Sequence, residues 1–138
     1  MLARAYLPDE NGHDRALALL EDDETLLVTG HGPGSRSQAR LSEPARAGRG
    51  EILELLAVLD GDLGPNGPVT VLAAPQAEVE DQALDIVRTY GLRAMDAWHL
   101  ATASLTTATL AEPGQQVAFA SRDDAQSAVA EQLGFARG

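Results

Sequence analysis

Apolar positions recur along this chain with two periods, and the alternation between those periods predicts short strands separated by helices. Leu2–Leu7 is a short apolar segment, and Pro8-Asp9-Glu10-Asn11-Gly12 closes it as a turn. Asp14 is placed to cap a helix through Leu20, with Ala16, Leu17, Leu19 and Leu20 on its apolar face. Thr25–Thr29 reads as a buried strand and Gly30–Gly34 as a loop. Ser35–Arg49 has helical composition but few apolar anchors, and Pro44 interrupts it by removing a backbone donor. Glu51–Leu59 is amphipathic, with Ile52, Leu55, Leu56 and Leu59 on one face.

A loop over Gly61–Pro68, with prolines at Pro65 and Pro68, leads into a second strand, Val69–Leu72. In Glu78–Tyr90 the residues Val79, Ala83, Ile86, Val87 and Tyr90 recur at helical spacing, and Gly91 supplies the stop. The helix that starts at Asp96 is expected to reach Leu110 before Pro113-Gly114 turns the chain. Val117–Ala120 is a third strand, and Ala125–Leu133 a last helix ended by Gly134. Strands alternating with helices imply an α/β fold with a parallel sheet covered on both faces. There is no internal repeat, low-complexity tract or linker, so 1–138 reads as a single domain.

Bulk properties narrow the function classes. A chain of 138 residues buries about 70% of its unfolded surface, and a hydrophobic content of 44% fits a globular fold. No apolar run approaches the roughly 18 residues of a membrane span, and no signal-peptide core is visible, so the expected location is cytoplasmic. The absence of cysteine excludes disulfides and thiolate metal sites. His13, His31 and His99 are too far apart in sequence to suggest a zinc motif. The net charge of −11 argues against a general nucleic-acid binder, which needs a basic stripe to meet phosphates. Arg36, Arg40, Arg46 and Arg49 form the one dense basic cluster. An RNA could meet that cluster, but global steering opposes it, and a basic protein partner suits the surface better.

The candidate chemistry lies in two acids. Asp123 follows the strand ending in Phe119-Ala120, and ligands of parallel α/β sheets collect beyond the carboxyl ends of strands. Asp96 begins a helix that can return to the same rim. Carboxylates converging there repel one another unless a divalent cation fills the gap, and Mg²⁺ binds through one or two carboxylates plus water and phosphate oxygens. His99, one turn beyond Asp96, shares roughly the same face. Each residue also has a plainer use. Asp96 suits the positive end of its helix, and Asp123 and Ser121 suit the cap of the last one. His99 can be a packed, hydrogen-bonded histidine, and Trp98 a core or interface residue. Glu21-Asp22-Asp23-Glu24 reads as a solvated helix end, and Gly30–Gly34 lacks the Gly-Lys-Ser/Thr ending of a phosphate loop.

Arg93–Ala103 resembles the Asp-Ala-x-His-Leu-Ala-Thr-Ala segment of PIN domains, the ribonuclease fold of VapC-type toxins. Val69–Tyr90 is similar to the strand, linker and helix before that segment, and Val117–Phe135 to the strand, Asp and Ala-rich helix after it. Ala3–Glu10 looks like the helix following the family's first strand. The resemblance implies a three-layer α/β/α fold and an Mg²⁺- or Mn²⁺-dependent ribonuclease site, with Asp96 and Asp123 as catalytic and metal-binding residues and Ser121 and His99 as supports. It also marks departures. The family's first strand and its terminal Asp would precede Met1, so that strand is expected to be missing or remodelled. The family's second acid, a helical Glu, falls at about Arg36, and Glu43 lies roughly 10 Å further along by helical rise. The implied protein is of toxin–antitoxin type, with an incomplete acidic site and ribonuclease activity weakened or lost. Its implied partners are an antitoxin-like protein, an RNA substrate and a second copy in a homodimer, with no membrane contact. The competing expectation is a non-catalytic interaction module that keeps the toxin's dimer or antitoxin-binding surface.

Overall fold

The computed structural model describes residues 11–21, 26–29 and 57–138. Contacts divide the chain into two compact units, Met1–Val71 and Leu72–Gly138. The expectations for Leu2–Leu7, Pro8–Glu10, Asp22–Glu24, Gly30–Gly34, Ser35–Arg49 and most of Glu51–Leu59 fall outside the described residues.

In the first unit, helix α1 spans His13–Glu21. Asp14 lies inside its first turn and is not its cap. The chain enters the helix through a left-handed Gly12, whose carbonyl accepts the Ala16 N–H. Ala16 is the buried residue of this helix. Strand β1, Leu26–Thr29, pairs with β2, Val69–Leu72. Before β2, a helical segment α2, described over 57–62, buries Leu59 and runs three residues past its expected end. The turn that follows is made by successive Gly64 and Gly67 N–H bonds to the Gly61 and Gly64 carbonyls. Glycine is required at position 67, where a Cβ would overlap the Asp62 carbonyl oxygen.

The second unit contains α3 (Gln76–Tyr90), α4 (Ala94–Leu110), β3 (Ala118–Phe119), α5 (Asp124–Gln132) and β4 (Ala136–Arg137). Helix α3 starts two residues earlier than expected because Pro75, which fixes its own φ, leads into the first turn. It buries Val79, Ala83 and Ile86, and ends at Gly91, whose φ of 71° is the left-handed cap that glycine adopts freely. This face packs chiefly against α4.

Helix α4 is the centre of the unit. Ala97, Leu100, Ala101 and Ala103 are buried, together with Thr102 and Thr106. Alanines let neighbouring backbones approach closely, and the buried hydroxyls bond back to the helix itself. Thr102 donates to the Trp98 carbonyl at 2.9 Å, and Thr106 to the Thr102 carbonyl at 2.6 Å. These local bonds let a helix rich in Ala and Thr be buried without unsatisfied donors at those threonines. Trp98 packs at the margin of the core, which continues through Val129, Ala130 and Phe135. The Phe119 and Phe135 rings meet in a tilted contact with centroids 5.7 Å apart.

Strands β3 and β4 pair in parallel, Ala118 with Ala136 and Phe119 with Arg137. The architecture is thus mixed helix and strand with a parallel pair, as an α/β reading requires. Among the described residues the strands form two separate pairs instead of one continuous sheet. The second pair is completed by β4, which the sequence reading did not include. No helix among the described residues is long and apolar enough to cross a membrane.

Candidate functional site

The two acids singled out in the sequence each stand at the start of a helix of the second unit. Asp96 lies in the first turn of α4 and is half-buried. Arg93, the residue before that helix, makes no side-chain cap bond, so Asp96 is the anionic group at its positive end. Asp123 is the N-cap of α5. Its Oδ1 accepts the Gln126 backbone N–H at 3.0 Å. The capping use of Asp123 is therefore realised, which leaves its second carboxylate oxygen for any further ligand.

Ser121 supports this cap. Its Oγ accepts the Asp123 N–H at 3.1 Å and donates to Gln126 Oε1 at 2.6 Å. The other end of the same carboxamide, Nε2, donates to the Asp96 carbonyl at 2.9 Å. Gln126 is 6% exposed. One buried side chain thus joins the residue that carries the first acid to the segment that carries the second, across thirty positions of sequence. Sequence reasoning missed Gln126. The available signal was the Asp123-Asp124-Ala125-Gln126 spacing, which matches a capping box, N-cap Asp with Gln at the third helical position. Here only half of that box forms: Asp123 accepts from Gln126, but Ser121 takes the Asp123 N–H in place of the glutamine side chain.

His99, one turn beyond Asp96, is half-buried on α4. Arg36, Glu43 and the arginine cluster at Arg36–Arg49 lie outside the described residues. Among the described residues no three His, Asp or Glu side chains gather in a way that could hold a metal. The chemistry of the donors still suits Mg²⁺ or Mn²⁺, since both are carboxylate oxygens and Mg²⁺ takes one or two carboxylates with water and phosphate oxygens completing the shell. Two carboxylates, one of them already sharing an oxygen with a helix cap, make a sparse donor set. A concavity of about 390 Å³, elsewhere in the unit, is lined by Ser104, Thr107, Val117, Leu133 and Phe135 among others, with neither acid among them.

No family model matches this chain, and neither a curated protein nor a solved structure matches it.

Proposed function

We propose that this chain is a PIN-like domain of the toxin–antitoxin type whose metal-dependent ribonuclease centre is degenerate. Asp96 and Asp123 would be its remaining metal-binding and catalytic carboxylates. The observation that carries the reading is the Gln126 bridge: three Gln126 hydrogen bonds tie the Asp96 main-chain carbonyl to Ser121 and to the Asp123 cap. One buried residue thus holds the helix start that carries Asp96 against the segment that carries Asp123. A bound Mg²⁺ or Mn²⁺ would supply an activated water and charge stabilisation at phosphorus. This chain's own residues would hold the cation through Asp96 and the uncommitted oxygen of Asp123, with Ser121 fixing the latter's backbone. Arg36, standing where the resemblance places the family's helical Glu, supports activity that is weak or lost.

A ribonuclease assay on a single-stranded RNA, with and without Mn²⁺, tests this reading. Cleavage by wild type is expected near the rate with Mn²⁺ alone, and any cation-dependent excess should vanish in Asp96→Asn. Rapid cleavage would overturn the degenerate site. Cation-dependent cleavage indifferent to Asp96 would overturn its location.

A non-catalytic interaction module is the second reading, with a basic, antitoxin-like protein or a second copy of the chain as partner. It is favoured by apolar side chains left open on the second unit: Leu84 on α3, and Met95 and Leu110 on α4. Cation-dependent cleavage lost in Asp96→Asn would exclude it as the whole account.

A further inference from the structure

We propose that the concavity beside the C-terminal half of α4 is a binding site for a small uncharged molecule, an apolar ring bearing one hydroxyl, anchored by Ser104. Neither Asp96 nor Asp123 lines it, so the inference does not rest on the reading of those acids.

The wall of the concavity has three pieces. Ser104, Thr107 and Ala111 come from α4 and its end, Val117 from the approach to β3, and Phe135 from the segment between α5 and β4. Main-chain bonds fix those pieces in the free protein. The Gln115 N–H donates to the Glu112 carbonyl at 2.9 Å, and Gln115 Oε1 accepts the Glu112 N–H at 3.1 Å, which closes the turn after α4. The Phe135 N–H donates to the Ala130 carbonyl at 3.1 Å, and the Ala136 N–H to the Val117 carbonyl at 2.9 Å. Small-molecule sites are largely preformed, mostly apolar and roughly 300–1,000 Å³ in volume. At about 390 Å³ this concavity falls within that range.

Ser104 is the residue that points to a ligand. Along α4, Thr102, Thr106, Thr107 and Thr109 each donate to a carbonyl three or four residues back. Ser104 Oγ is buried and makes no hydrogen bond to any described residue. A buried hydroxyl without a partner is a cost that native structures normally remove. Its side chain can turn between staggered positions without breaking a bond, so a ligand hydroxyl in the concavity would supply the missing partner. Gln115 Oε1 is committed to the turn, which leaves Nε2 to donate at the rim. The side chains that line the concavity are all uncharged. A charged ligand would lose hydration there without meeting a counter-ion. Val117, Leu133 and Phe135 give the apolar surface that a ring requires.

The test is titration of phenol, toluene and benzoate into the full chain, followed by amide chemical shifts, with thermal unfolding of each variant measured without ligand. Ser104→Ala removes the hydroxyl, and Ala108→Phe and Ala111→Phe each set a ring into the concavity. Phenol is expected to saturate, shifting the amides of Thr107, Gly114 and Gly134 most, and benzoate to bind more weakly than phenol. Ser104→Ala should weaken phenol roughly 2–10-fold, the worth of one hydrogen bond, and leave toluene unchanged. It should melt no lower than wild type, since it gives up no bond. Both Phe variants should lose phenol and toluene together. A phenol response that does not saturate, or shifts centred elsewhere, overturns the proposal. Benzoate binding as tightly as phenol overturns the uncharged class. Phenol affinity unchanged in Ser104→Ala, or phenol and toluene weakened equally, overturns the anchor. A lowered melting temperature in that variant overturns it as well, because the hydroxyl would then serve the fold. Should one Phe variant not fold, the other decides: wild-type phenol affinity there places the ligand elsewhere and overturns the site.

Discussion

Asp123 answers to two demands at once, and the geometry shows which is met. Its Oδ1 caps α5 by accepting the Gln126 N–H at 3.0 Å, so the residue has a stability role independent of any ligand. Asp123→Ala should therefore lower stability by about 0.5–2 kcal/mol, while Asp123→Asn should cost little, as read from chemical denaturation midpoints. Equal losses in both would show that the carboxylate charge, and not the cap bond, is what matters. The same residue shows why sequence alone gave two uses for one acid. A cap and a ligand both call for an Asp at a strand-to-helix junction, and only the hydrogen bond tells them apart. Gln126 was illegible for the opposite reason. A polar residue in the first turn of a helix ordinarily reads as solvent-facing, and its burial depends on Asp96, thirty residues away.

At the scale of elements, apolar periodicity carried the reading where helices are long. Val79, Ala83 and Ile86 were expected on the inner face of α3 and are buried there, and Gly91 ends the helix in the left-handed conformation. Gly91→Ala should cost about 1 kcal/mol, since the added Cβ meets no neighbour but strains a φ of 71°. A thermal melt unchanged by this substitution would contradict the cap assignment. Leu100, with 0% exposure at the centre of α4, should be far more sensitive. Leu100→Ala should cost about 2–5 kcal/mol in a denaturation series. The short strand β4 escaped notice because two residues, Ala136-Arg137, carry no period. Its pairing is specified by the parallel bonds around Phe119, including Ala136 N–H to the Val117 carbonyl at 2.9 Å. Asp14 is not the cap because the left-handed turn at Gly12 starts the helix two residues earlier, at His13.

For the whole molecule, mixed helix and strand was legible from the alternation of periods, whereas the division into two strand pairs among the described residues was not. Strand pairing depends on contacts between distant segments that no local pattern encodes. The net charge of −11 acts at this scale too. Phosphate contacts dominate non-specific nucleic-acid affinity, so the chain should not retain bulk RNA on a filter at physiological salt. Retention that falls steeply between low and moderate salt would show a basic surface strong enough to override the acidic body.

The central claim is that Asp96 and Asp123 together are the remnant of a divalent-cation centre. Calorimetric titration of Mn²⁺ into the full chain and into the double variant Asp96→Asn/Asp123→Asn tests it most directly. The account predicts a weak binding heat in wild type that is absent from the folded double variant. Equal heats in the two proteins, or none in wild type, would contradict it.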